Sequence, residues 1–359
     1  MSESVFALLG RRDEPTDAVE EYCKYLGAAL ASYDFHLEIR RVPWDSRGWA
    51  SSLEALRLMA ASWRDRWVLV QYTALAWSAR GFPGKFERVL YTLAKMGSRI
   101  GLVYHDVEPY SGDRLVDHAR RFVQVRTMKS ALRFADAAIF TVPLEKISWI
   151  TGPPDNAHFI PVGPNLSVQG TPAQERCGSQ TPCVAVFGIT GGEPGAGETR
   201  AIIAAVRHAA EEIGKLRLSV FGRNADSAEP ALHEGLRDLP VEISVEGLLE
   251  ESQIVERLSA ADVLLFVRGQ ISSRRGSAIA GVACGLPVIA FAGSETAPPI
   301  TDAGVILVSQ QNQVELNAAL LRVLSDSAYR SGLAARSSAA YTEHFSWTSI
   351  AARYVSVLK

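Results

Sequence analysis

Two arginines stand side by side at Arg274 and Arg275 in the stretch SSRRGSAIAGVACGLPVIAF (272–291), followed at once by Gly276-Ser277 and a run of small uncharged residues. Guanidinium groups at the mouth of a helix add bidentate donors to the free backbone N–H groups there, which suits a phosphate or diphosphate. Ser273 extends the cluster, and between Arg257 and Gly285 the only acid is Asp262, so the local field is positive. A solvated arginine pair on a surface loop is the competing reading. The other candidate is His105, in GLVYHDVEP (101–109), where an apolar run ends in His-Asp and Pro109 stops its continuation. Such a pair can serve as hydrogen-bond partner or base. A histidine that only caps a strand is the alternative.

Two glycine-bearing loops resemble phosphate loops without their chemistry. GRRDEPTD (10–17) has Gly10 but not the G-x-G-x-x-G of a dinucleotide fold, which disfavours a nicotinamide enzyme. GEPGAGET (192–199) has the glycines of a nucleoside-triphosphatase loop, but Glu198 replaces the lysine and repels phosphate. Its backbone could still approach a ligand, or it is a plain flexible loop. Neither a nucleophile motif nor a D-x-D pair for a divalent ion is present, so no metal and no cofactor are expected.

The 359 residues are 47% hydrophobic and 21% charged, with net charge −2. That composition fits a globular chain of two domains and disfavours nucleic acid as a partner, which needs many uncompensated phosphate contacts. Cys23, Cys177, Cys183 and Cys284 show no ligand spacing and read as buried thiols in a reducing compartment. MSESVFALLGRRDEP opens as a strand rather than a signal peptide, and no run approaches the ~20 apolar residues of a membrane span, so a cytoplasmic location is expected.

Short β-rich runs alternate with amphipathic ones along the chain. Strands are expected at 5–9, 37–42, 67–71, 99–104, 137–141 and 157–161, with helical patterns in the gaps. The pattern lapses at 166–182, which reads as a linker, and restarts with CVAVFGI (183–189), LRLSVFG, VEISVEG, DVLLFV, PVIAF and GVILV. This is an α/β chain of two doubly wound, Rossmann-like halves, 1–165 and 183–343, with a last helix in 344–359 placed to cross back to the first. WSARGFPGKFERVLYTLAKMG (77–97) mixes Trp77, Phe82 and Phe86 with Arg80, Lys85 and Arg88. That mixture suits either docking on an anionic membrane or an ordinary amphipathic domain helix.

The second half, above all ACGLPVIA (283–290) with ADVLLFV before it, resembles the donor-binding half of retaining GT-B glycosyltransferases of family four. FSWTSIAARYVSVL resembles that family's closing helix, and VYHDVEP its acceptor-side histidine loop. The resemblance implies two Rossmann-like domains facing a central cleft and transfer of a sugar, with retention and without metal, from a UDP- or GDP-sugar to a glycan or lipid-linked acceptor. It implies a diphosphate on Gly276-Ser277, a base near Arg223 and Glu246-Gly247, Gly188 in the same donor surface, and His105 as the catalytic residue near the sugar. The family's paired glutamates are replaced by Ser272 and Ala280, and its basic pair is missing from GITGGEPGAGE; Arg274 and Arg275 stand where they could restore the charge, with Arg200 a weaker substitute. This is the pattern of a divergent member in polysaccharide or glycan assembly, on the inner face of the membrane if peripheral. An inactive nucleotide- or partner-binding protein is the alternative.

Overall fold

The computed structural model describes residues 3–152, 154–168 and 181–359. Most of the expected linker at 166–182, with Cys177, lies outside the described residues. The chain divides into two compact units, Met1–Asn165 with Trp347–Lys359, and Leu166–Ser346.

The first unit runs β1 (Glu3–Leu9), α1 (Ala18–Leu30), β2 (Phe35–Arg41), α2 (Trp44–Arg47), α3 (Trp49–Ala60), β3 (Trp67–Tyr72), α4 (Phe86–Met96), β4 (Arg99–Tyr104), α5 (Leu115–Ala131), β5 (Ala137–Phe140) and β6 (Ala157–Phe159). Its strands are parallel in the order β2-β1-β3-β4-β5-β6. Central strand β3, WVLVQY, is buried at every position, as a strand covered on both faces must be. Helix α1 starts where Asp17 accepts the N–H groups of Val19 and Glu20, and it buries Tyr22, Cys23, Leu26 and Leu30 along one stripe. Trp77 and Phe86 join the same core and are fully buried, so neither is available to a membrane surface, while Phe82 is half-buried and Tyr91 exposed. Phe86 opens the amphipathic domain helix α4 of the alternative reading, and Trp77 lies in the loop before it.

The second unit runs β7 (Cys183–Phe187), α6 (Glu193–Ile213), β8 (Leu216–Phe221), α7 (Ala225–Leu236), β9 (Val241–Glu246), α8 (Glu251–Ser259), β10 (Val263–Gln270), α9 (Gly276–Ala283), β11 (Val288–Phe291), β12 (Val305–Val308), α10 (Gln313–Ser325) and α11 (Ser327–Ala340). Its parallel order is β12-β11-β10-β7-β8-β9. Three details depart from the sequence expectation. Helix α7 is present although Pro230 lies inside it. The glycines of 192–199 open no loop, because α6 already begins at Glu193. Strand β10 runs on through Arg268-Gly269-Gln270 by way of a register shift between Phe266 and Gln270 against β11.

The chain returns to the first unit with α12 (Trp347–Leu358), which lies against α1 and buries Ile350, Ala351, Tyr354, Val355 and Leu358. The buried hydroxyls of Tyr22 and Tyr354 meet at 2.8 Å, and Trp67 Nε1 donates to the Leu358 carbonyl at 2.7 Å. Among the described residues no helix is long and apolar enough to cross a membrane.

Candidate functional site

In an open parallel sheet, a crevice forms at the carboxyl ends of two adjacent strands whose connections leave in opposite directions. That place is β1/β3 in the first unit and β7/β10 in the second.

At β1/β3 a cavity of about 240 Å³ is lined by Gly10, Arg11, Gln71, Thr73 and Asp106, among others. Gly10 is required there, because a Cβ would lie 2.2 Å from the Ala76 carbonyl, which accepts from Arg11 N at 2.8 Å. One wall is fixed by Arg41, which donates to Asp17 and Glu20 and holds the Glu20 carboxyl below its usual range. His105, one residue past β4, borders this region through Gln71. Gln71 Nε2 donates to the Leu69 carbonyl at 3.0 Å, so its Oε1, 2.8 Å from His105 Nε2, is the acceptor, and His105 carries a proton on Nε2. The imidazole also stands edge-on to the Tyr22 ring, centroids 5.0 Å apart. Through Nε2, His105 is tied to Gln71.

At β7/β10 the second unit brings together Gly188, Arg223 and Arg268. Gly188 has φ +78°, and an ideal Cβ there would lie 2.7 Å from Arg268 Nη1, so the guanidinium lies directly over the glycine. The shift in β10 delivers it, since the residues inserted between Phe266 and Gln270 turn Arg268 toward the neighbouring strand end. Burial pushes Arg268 below the usual arginine range, with Glu198 opposing and Arg223 adding to the shift. No described residue forms an ion pair or hydrogen bond with its guanidinium. The loop after Gly188 is braced by Glu198 Oε2, which accepts from Thr190 N at 2.8 Å, and by Ile189 N donating to the Arg223 carbonyl. Thus Glu198, the residue that spoils the triphosphatase motif, holds the loop's shape.

The remaining candidates separate. Glu246 is engaged by Arg257 at 2.7 and 3.0 Å, and the Gly247 carbonyl accepts from Gly222 N at 2.8 Å. Gly276 and Ser277 do form the first turn of α9, and no side chain caps it. Ser273, fully buried before that turn, has a hydroxyl with no hydrogen-bond partner among the described residues. Arg275 Nε donates to the Gln270 carbonyl at 3.2 Å. Arg274 departs from the expectation: it makes a bidentate pair, 2.7 and 2.8 Å, with the buried Glu295, which also accepts from Ser272 Oγ at 3.1 Å. Burial pushes the Glu295 carboxyl up, but Arg274, with Arg275 and Ser272, outweighs it and leaves the group below its usual range. Arg274 is thereby neutralised from within, and a carboxylate stands beside Ser272 after all, supplied by a different loop.

No protein-family model matches the sequence, and a search of curated proteins finds no match. Solved structures do match along the whole chain. HepE of Anabaena, solved with UDP and glucose, is 14% identical over 99% of both chains, with a TM-score of 0.66. Sucrose-phosphate synthase of Thermosynechococcus elongatus is 19% identical over 99% of this chain and 98% of its own, at 0.67. The chain has the GT-B fold. A putative UDP-N-acetylglucosamine 2-epimerase of Listeria monocytogenes has it too, at 13% identity and a TM-score of 0.64 over 100% of this chain and 96% of its own. GT-B chains so distant in sequence share architecture, and the chemistry has to be read from the residues. Sequence reasoning missed Arg268, although RG directly after an apolar strand was a visible signal, and it also missed Gln71, which nothing local marks.

Proposed function

We propose that the chain is a glycosyltransferase that takes a sugar from a nucleoside-diphosphate sugar, with the donor on the second unit and the acceptor hydroxyl in the first unit's cavity. The observation that carries this reading is the largely buried Arg268 over Gly188 at the strand crossing, a cation with no ion-pair partner among the described residues. The uncapped first turn of α9 and the Ser273 hydroxyl add donors. As the bond from the anomeric carbon to the diphosphate breaks, its electron pair stays on the departing oxygen. Arg268 and Arg223 oppose that charge in a place poor in water, and preorganised charge of this kind is commonly the main source of rate enhancement. The acceptor oxygen bonds to the anomeric carbon and its proton passes to the departing phosphate. On this reading configuration is retained, no metal is required, and the enzyme serves polysaccharide or glycan assembly in the cytoplasm. UDP is the favoured nucleotide, because HepE was solved with it; GDP is the other candidate. His105 keeps Gln71 in place at the acceptor cavity.

A second reading, a nucleotide binder without transfer, is favoured by one observation: the carboxylate near Ser272 is Glu295, buried and committed to Arg274. Calorimetry with UDP, GDP, ADP and their sugars, followed by assays of sugar release, separates the two. Binding with release that falls in His105→Ala supports transfer; binding without release from any donor supports the second reading. Absence of nucleotide binding at millimolar concentration overturns both.

A further inference from the structure

Helix α5 carries apolar side chains on the face turned away from its sheet. Leu115 is 88% exposed and Phe122 68%. Seven positions apart, they lie on one line of the helix, with exposed Ala119 between them. Arg114, Arg121, Arg126 and Lys129 are exposed around them, and none forms an ion pair among the described residues. The helix has one acid, Asp117, which is buried and held by Arg120 at 2.7 Å. A chain of net charge −2 thus gathers four unopposed cations around an apolar stripe.

We propose that this face of α5 docks on an anionic lipid bilayer, with Leu115 and Phe122 entering the headgroup boundary and the four cations lying among lipid phosphates. A helix face on which the large exposed apolar side chains are Leu115, Val116 and Phe122 is too small for the core of a standard protein interface. It fits the plane of a membrane surface, where shallow apolar insertion and cationic attraction act together. The inference does not rest on the glycosyl-transfer reading, since docking needs no donor.

Co-sedimentation with phosphatidylcholine vesicles containing about one-third phosphatidylglycerol, against phosphatidylcholine alone, tests it. Binding is expected to the first only, and to weaken with added salt. Each cation near an anionic surface contributes about fivefold in partition, so Arg121→Gln/Arg126→Gln should bind roughly 25-fold more weakly. Leu115→Ser/Phe122→Ser should weaken binding while keeping its salt dependence; thermal melting checks that both variants fold. Wild type left in the supernatant, or binding unchanged in either double variant, overturns the proposal. So does a dimer that Leu115→Ser/Phe122→Ser dissolves without vesicle binding, because the face would then belong to a second copy.

Discussion

Replacing Arg268 by glutamine should weaken nucleotide binding and leave the fold as stable as before, or more so. A cation in a structural ion pair does the opposite, since its loss leaves a buried partner uncompensated. Arg268 is largely removed from water, and no described residue pairs with it, so the free protein bears a desolvation cost that a bound diphosphate would offset. A charge-assisted hydrogen bond contributes about 1.5–3 kcal/mol. Taking the upper part of that range for a desolvated guanidinium, Arg268→Gln should raise the Kd for UDP about 30- to 150-fold. Gly188→Ala tests the same geometry from the other side, because a methyl group 2.7 Å from Nη1 must displace the guanidinium, and φ +78° disfavours any side chain. Calorimetry for UDP and thermal melting on the two variants give the readout. A Kd within twofold of wild type in Arg268→Gln would refute the reasoning, as would a melting temperature that falls by several degrees.

Two further sets of outcomes are expected. Arg274→Ala should destabilise the second unit by about 3–5 kcal/mol, because it strands Glu295 in the interior, and melting followed by circular dichroism reads it. Glu295 has its folded pKa below the ordinary glutamate value, so its contribution is full at neutral pH and lost as pH falls through the folded value. Stability measured against pH should therefore show a flatter acid limb in Glu295→Gln. Tyr354→Phe should cost about 1 kcal/mol in denaturant melts of the first unit, since it removes one partner of a fully buried hydroxyl pair.

Strand positions were legible because buried parallel strands are continuous apolar runs, WVLVQY and DVLLFV among them. Helix α7 was not, since Pro230 argues against a helix and only tertiary burial of Ala225, Ala228, Leu232 and Leu236 overrides it. The start of α6 was hidden by Gly195 and Gly197, which read as loop although they are helical. Around α9, sequence marked the cationic helix mouth but not how its arginines are spent. Arg274 is consumed by Glu295, which lies 21 residues on in another loop, a pairing no local pattern announces. Arg268 escaped because the apolar run ends at Val267 and only the register shift against β11 shows that the strand continues.

Helix α12 has a consequence for how the protein is made. The first unit is discontinuous, with all 181 residues of Leu166–Ser346 intervening before Trp347. On the ribosome, Tyr22 and Trp67 wait for Tyr354 and the Leu358 carbonyl until the second unit has been synthesised in full. N-terminal domains generally fold first during synthesis. Here the second unit can finish before the first, whose helix α1 keeps Tyr22 uncovered until α12 arrives.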